Sequence, residues 1–230
     1  MKSKIHFLNI MRILSFSAFL MAVNSLSAQL SYRITLGTGA LSSSSAAPFY
    51  LDFQLFDGAG TGNNTTSAYL TSFSFGGGSA AGTPTGFGSF SGSANSGIRL
   101  TDASFFSEFY QEFVPGNFLS FDVTFTSVYD SSAVPDSFAF AILDSTLSNL
   151  PTQSGGSDIF AFFEIREGQI YSTQSFASDI TIAPVGGGSP IGIGAPSIQA
   201  VPEPSTYGLL AAGSLTLAAM YSRRRHSKSK

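Results

Sequence analysis

Between Gln29 and Ala200 the side chains with chemistry to offer are almost all carboxylates: nine Asp and four Glu, against three Arg. That stretch contains no Lys, His or Cys, because His6 and His226 both lie outside it. A Ser-His-Asp or Cys-His nucleophile, a Schiff-base lysine, a Walker lysine and a His- or Cys-ligated metal are therefore closed to it. Thirteen acidic against three basic residues give −10, which the whole-chain figure of −3 conceals. Phosphate binding needs clustered Lys and Arg, so nucleic acid is excluded as a partner.

Two groupings of those carboxylates invite a chemical reading. Asp57-Gly58-Ala59-Gly60-Thr61-Gly62-Asn63-Asn64 is an acidic, glycine-rich loop with Asp52 just upstream. Hard oxygen ligands on such a loop suit calcium, which makes Asp52, Asp57, Asn63 and Asn64 calcium candidates. The alternating ligands and closing Glu of an EF-hand are missing, so a plain hairpin loop is the competing reading. Glu108, Glu112, Glu164 and Glu167 offer partners for glycoside hydrolysis, which needs two carboxyl groups roughly 5–9 Å apart. Thirteen carboxylates need no such explanation, and no Trp is present to line a sugar subsite. The expectation is a protein without catalytic residues or an obligatory cofactor. The Gly37-Thr38-Gly39 and Gly58 to Gly62 motifs lack the helix and lysine of a phosphate loop and read as turns.

The elements that must carry these groups are strands. Phe49, Leu51, Phe53 and Leu55 alternate with Tyr50, Asp52 and Gln54, and Leu119 to Phe125, Phe138 to Ile142 and Tyr32 to Leu36 repeat the pattern. Period-two alternation marks half-buried antiparallel strands. Tyr69 to Phe75 and Ile159 to Ile165 add further strands. Phe105, Phe106, Phe109 and Phe113 fit a helix face, but Phe109, Gln111 and Phe113 alternate into the Pro115-Gly116 turn, which favours a strand from Glu108 onward. Short strands separated by glycine-rich turns predict an all-β fold, an antiparallel, jelly-roll-like β-sandwich over residues 29–181. Residues 182–200, rich in Gly and Pro, read as a linker.

The two ends are of another kind. Lys2, Lys4 and Arg12 precede the apolar run Ile13 to Val23 and the small residues Ser25 to Ala28, the pattern of a signal peptide over residues 1–28. At the other end, Val201-Pro202-Glu203-Pro204-Ser205-Thr206 leads into an apolar segment, residues 206–221, and then Arg223-Arg224-Arg225. Sixteen helical residues rise about 24 Å, enough for a short single transmembrane helix, and the arginines favour the cytoplasmic side. This order of motif, helix and arginine cluster resembles the PEP-CTERM sorting signal of Gram-negative bacteria that make exopolysaccharide. The resemblance implies that exosortase recognises Pro202, Glu203 and Pro204 and removes the tail, while Arg223, Arg224 and Arg225 stop transfer at the cytoplasmic face. Anchoring in the inner membrane is then transient, and the mature form sits at the cell surface or outside it.

The body is similar to a PEP-CTERM family with three motifs: Asp52 to Thr65, Phe75 to Ser79, and Pro135-Asp136-Ser137-Phe138-Ala139-Phe140. That resemblance implies no activity. Gln111 to Gly116 followed by Leu119 to Phe121 resembles a hairpin common in jelly-roll carbohydrate-binding modules. The expected function is thus a non-enzymatic structural or interaction role at the cell surface, associated with exopolysaccharide or biofilm. The alternatives are a glycan-binding jelly-roll module, with or without calcium, and, more distantly, a secreted glycoside hydrolase.

Overall fold

The computed structural model describes residues 30–127, 134–166 and 169–202. The expected signal peptide, Glu167, Glu203 and Pro204 of the sorting motif, the segment 206–221 and the arginine cluster lie outside the described residues. Thirteen strands run in order: β1 Leu30–Gly37, β2 Phe49–Phe56, β3 Thr66–Ser74, β4 Ser79–Ala80, β5 Thr85–Phe87, β6 Phe90–Ser93, β7 Gly97–Thr101, β8 Phe106–Val114, β9 Phe118–Ser127, β10 Asp136–Leu143, β11 Ala161–Arg166, β12 Gln169–Ser175 and β13 Ser197–Ala200. Among the described residues one 3-10 turn, Gly39–Ser43, interrupts them. No helix among the described residues is long and apolar enough to cross a membrane.

Every pairing is antiparallel, in two sheets. The first has the order β13-β1-β9-β3-β7-β6, and the second β12-β11-β10-β2-β8-β4, with β5 also on β8. The chain changes sheet at β1–β2, β2–β3, β3–β4, β5–β6, β7–β8, β8–β9, β9–β10 and β12–β13. Each sheet is therefore stitched together from segments distant in sequence.

Alternation in the sequence becomes alternation in burial. Phe49, Leu51, Phe53 and Leu55 are all buried, as are Leu119, Phe121, Val123 and Phe125 from the facing sheet. Phe53 of the second sheet meets Phe121 of the first edge-on, with ring centroids 5.1 Å apart, and stacks on Phe140 at 5.3 Å. Phe125 meets Phe138 and Phe163 across the same interface at 5.3 and 5.2 Å. Phenylalanine fills this interior because it removes much apolar surface from water without bringing a polar atom that would need a partner.

Two expectations change. The segment with competing helical and strand periodicities is β8 from Phe106, two residues earlier than expected, with Ser107, Phe109, Gln111 and Phe113 inward. Eight residues of pairing with β2 decide in favour of the strand. Residues 182–200, read as a linker, are part of the fold. Ile191 and Ile193 are buried, and β13 extends the first sheet against β1. The Ser178 hydroxyl donates to the Ile191 carbonyl and accepts from the Ile193 amide, and the Gly186 amide donates to Asp144. Glycine and proline here shape a hydrogen-bonded strap that lies along the surface and is pinned by the buried Pro184, Ile191, Ile193 and Pro196, rather than a tether.

Candidate functional site

The loop that follows β2 is organised by a carboxylate. Asp57, its first residue, points inward and is 2% exposed. Its Oδ1 accepts from the Ala59 amide at 2.8 Å, and its Oδ2 from the Thr61 and Gly62 amides at 2.9 and 2.6 Å. One carboxylate thereby folds the loop around itself, as Asp does at turns. The glycines are required by what lies behind them. A Cβ on Gly58 would fall 2.3 Å from the Val134 carbonyl oxygen, and one on Gly62, whose φ is +72°, would fall 2.6 Å from that of Ala103.

That close approach brings two more carboxylates to Asp57. Asp102 follows β7 in the first sheet, and Asp136 opens β10 in the second. Each of the three offers a carboxylate oxygen, and these oxygens all lie within 4.8 Å of one another. Asp136 accepts from the Gly58 amide through Oδ1 at 2.8 Å and from the Thr66 hydroxyl through Oδ2. Asp102 Oδ2 accepts three bonds: the Thr65 amide at 3.2 Å, the Thr65 hydroxyl at 3.1 Å and the Thr66 amide at 3.0 Å. Its Oδ1 is buried and accepts none. Burial raises the Asp102 carboxyl above the usual carboxylate range, and the Asp136 charge adds to that; the Thr65 and Thr66 bonds offset part of it.

The four calcium candidates read from the sequence are thus divided. Asp57 is in the cluster. Asn63 supports it indirectly, its side-chain oxygen accepting from Thr65, and Asn64 turns the chain with φ 57° while its amide donates to the Asp102 carbonyl. Asp52 is elsewhere, on the outward face of β2 between Tyr110 of β8 and Ala141 of β10. Asp102 and Asp136 were not identified as candidates, although Asp136 stands in one of the motifs noted above.

Asp52 is 0% exposed even though it points away from the core. Its Oδ2 accepts from the Gln54 amide group at 2.5 Å, and its Oδ1 has no partner. Burial, with a contribution from the nearby Glu108 charge, pushes its carboxyl up to about 8, against the pull of Gln54. Burial raises Glu108 as well. Around this pair the outward face of the second sheet carries aromatics: Tyr50 and Tyr110 edge-to-face at 6.3 Å, and Phe56, Phe106 and Phe87 in a row, with Phe87 64% exposed.

Among the described residues the glutamates stand too far apart to pair for hydrolysis. Glu108 and Glu112 stand on one strand four residues apart, about 13 Å at ~3.3 Å per residue. Glu164 on β11 is three strand spacings from Glu108 on β8, about 14 Å at ~4.8 Å each. Both separations exceed the roughly 5–9.5 Å that glycoside hydrolysis uses. Asp52 is diagonal to Glu108 in register, but a carboxyl with no exposed surface cannot protonate a glycosidic oxygen. A surface depression of about 480 Å³, lined by Thr71 to Phe73, Gly78 to Ala80 and Ala94 to Gly97, holds no titratable side chain.

No curated protein and no solved structure matches the chain. Residues 200–225 match the family model of the PEP-CTERM protein-sorting motif. The chain therefore carries a sorting signal that implies exosortase as its sorting partner and export across the inner membrane to the surface or exterior of a Gram-negative cell.

Proposed function

We propose that the exported domain is a non-enzymatic cell-surface or extracellular-matrix protein that associates with exopolysaccharide. The sorting motif at residues 200–225 carries this reading, since it assigns the product to the outside of the cell. The chemistry of the body supports it. Residues 29–200 have no Lys, His or Cys, and the described glutamates stand too far apart to act together. A second reading, a jelly-roll glycan-binding module, is favoured by the outward face of the second sheet. There Tyr50 and Tyr110 lie beside Gln54, Glu108 and Glu112, and aromatic faces next to amide and carboxylate groups suit a pyranose ring and its hydroxyls.

Purified protein spanning residues 29–202 should sediment with the exopolysaccharide of its host without releasing reducing sugar. Tyr50→Ala combined with Tyr110→Ala weakens that association several-fold if the outward face is the contact, and leaves it unchanged if the role is purely structural. Hydrolysis of the polysaccharide, lost on Glu108→Gln, would overturn the non-enzymatic reading. In mass spectra of the natural surface form, peptides containing Leu209 to Met220 should be absent; their dominance would refute processing by exosortase.

A further inference from the structure

We propose that Asp57, Asp102 and Asp136 hold one calcium ion that ties the two sheets together once the protein is outside the cell. The inference is independent of any glycan. It starts from the coordination sphere: calcium takes oxygen ligands at about 2.3–2.6 Å, so two ligands of one ion lie no more than about 5 Å apart. Three carboxylate oxygens mutually within 4.8 Å meet that condition. The second observation is the Asp102 carboxyl itself. It is 0% exposed, its Oδ2 already accepts three hydrogen bonds, and its Oδ1 accepts none. A buried carboxylate oxygen without a donor is costly, and a cation is what three converging carboxylates would satisfy it with.

The surroundings determine which cation. The ligands are hard oxygens, with no nitrogen or sulfur donor in residues 29–200 from His or Cys, which disfavours zinc and copper. The loop that wraps Asp57 is held by its own amides and supplies irregular geometry, which calcium accepts and magnesium, demanding a regular octahedron, does not. The place in the fold gives the ion a task. Asp57 and Asp136 end neighbouring strands of the second sheet, whereas Asp102 ends β7 of the first. One ion between them closes that end of the sandwich.

The test uses protein spanning residues 29–202, which contain every described strand and the whole core, stripped with chelator and returned to calcium chloride. Calorimetry should give one calcium per chain. With calcium at about 50 times Kd, the melting temperature should rise by roughly 5 °C or more, and by less with magnesium at the same concentration. Asp102→Asn should weaken calcium binding at least tenfold, whereas Asp52→Asn should leave it unchanged. Should Asp102→Asn fail to fold, Asp136→Asn and Asp57→Asn are read in its place. A stripped wild-type protein that neither binds calcium nor changes its melting temperature overturns the proposal. So does calcium binding that survives unchanged in the folded cluster variants.

Discussion

Replacing Asp52 by Asn should make the protein less sensitive to alkaline pH, and the size of the effect follows from where the carboxyl lies. Asp52 has no exposed surface, one hydrogen-bond donor and one oxygen without a partner, and its carboxyl is pushed up to about 8 from an ordinary 3.8. An acid whose folded value lies above its unfolded value binds its proton more tightly in the native state. Its contribution to stability is complete below about pH 4 and is lost as pH rises toward 8, at about 1.4 kcal/mol per pH unit. Fully expressed, the loss is on the order of 5 kcal/mol, a large fraction of a typical domain's 5–15 kcal/mol.

Asn keeps the carbonyl oxygen that Gln54 needs and carries no charge at any pH, so it imitates the protonated side chain. At pH 5, a little over one unit above the ordinary 3.8, Asp52→Asn should already be the more stable by roughly 1.5 kcal/mol, since it imitates the neutral carboxyl. At pH 8.5 Asp52→Asn should be the more stable by several kcal/mol. Urea denaturation at half-unit steps from pH 4.5 to 9 measures this, and the readout is the difference between the two curves. Asp102 and Glu108, raised like Asp52, and Asp122, lowered chiefly by its bond from Arg33, remain common to both proteins. Curves that stay parallel within about 1 kcal/mol over the whole range would show that Asp52 is ionised, solvated or both, and the reasoning would fall.

Phe53→Ala should cost about 3–5 kcal/mol, because a fully buried ring in contact with Phe121 and Phe140 leaves a cavity the facing sheets cannot close. Tyr171→Ala, at a residue 70% exposed, should stay within about 0.5 kcal/mol in the same urea titration. Gly62→Ala meets both a left-handed backbone and the Ala103 carbonyl, whereas Gly60→Ala meets the backbone preference alone. The first should therefore destabilise by clearly more than the roughly 1 kcal/mol expected of the second, measured by thermal melts.

How much of this was legible in the sequence depends on the range over which each feature is determined. The strands were legible because alternation is local: Phe49 to Leu55 and Leu119 to Phe125 each announce a buried face within seven residues. Asp57 was legible for the same reason, since it is the first residue of a loop whose glycines follow directly. Asp102 and Asp136 were not. Each ends or begins a strand as an unremarkable single carboxylate, and they meet Asp57 only after two sheets have paired and closed on one another. The strap from Ile182 to Ala200 misleads by composition. Its buried isoleucines, Ile191 and Ile193, are too few to show a period, and its hydrogen bonds run to Ser178 and Asp144 in other segments.

Asp52 shows the same limit from the opposite side. Its position in the alternation correctly assigns the outward face of β2, and outward normally means solvated. Yet Tyr110 and Ala141 flank it in register on the neighbouring strands, and the side chain ends with no exposed surface. Outward from the core and exposed to water are separate properties in a sheet whose outer face is lined with aromatics. The distinction sets the chemistry of that face. The carboxyl most strongly shifted is sealed beneath the surface, and the groups left to meet a partner are Tyr50, Tyr110, Gln54, Glu108 and Glu112. That set can stack and hydrogen-bond, and its raised acid, Glu108, has no accessible described carboxylate beside it at the spacing that glycoside cleavage needs.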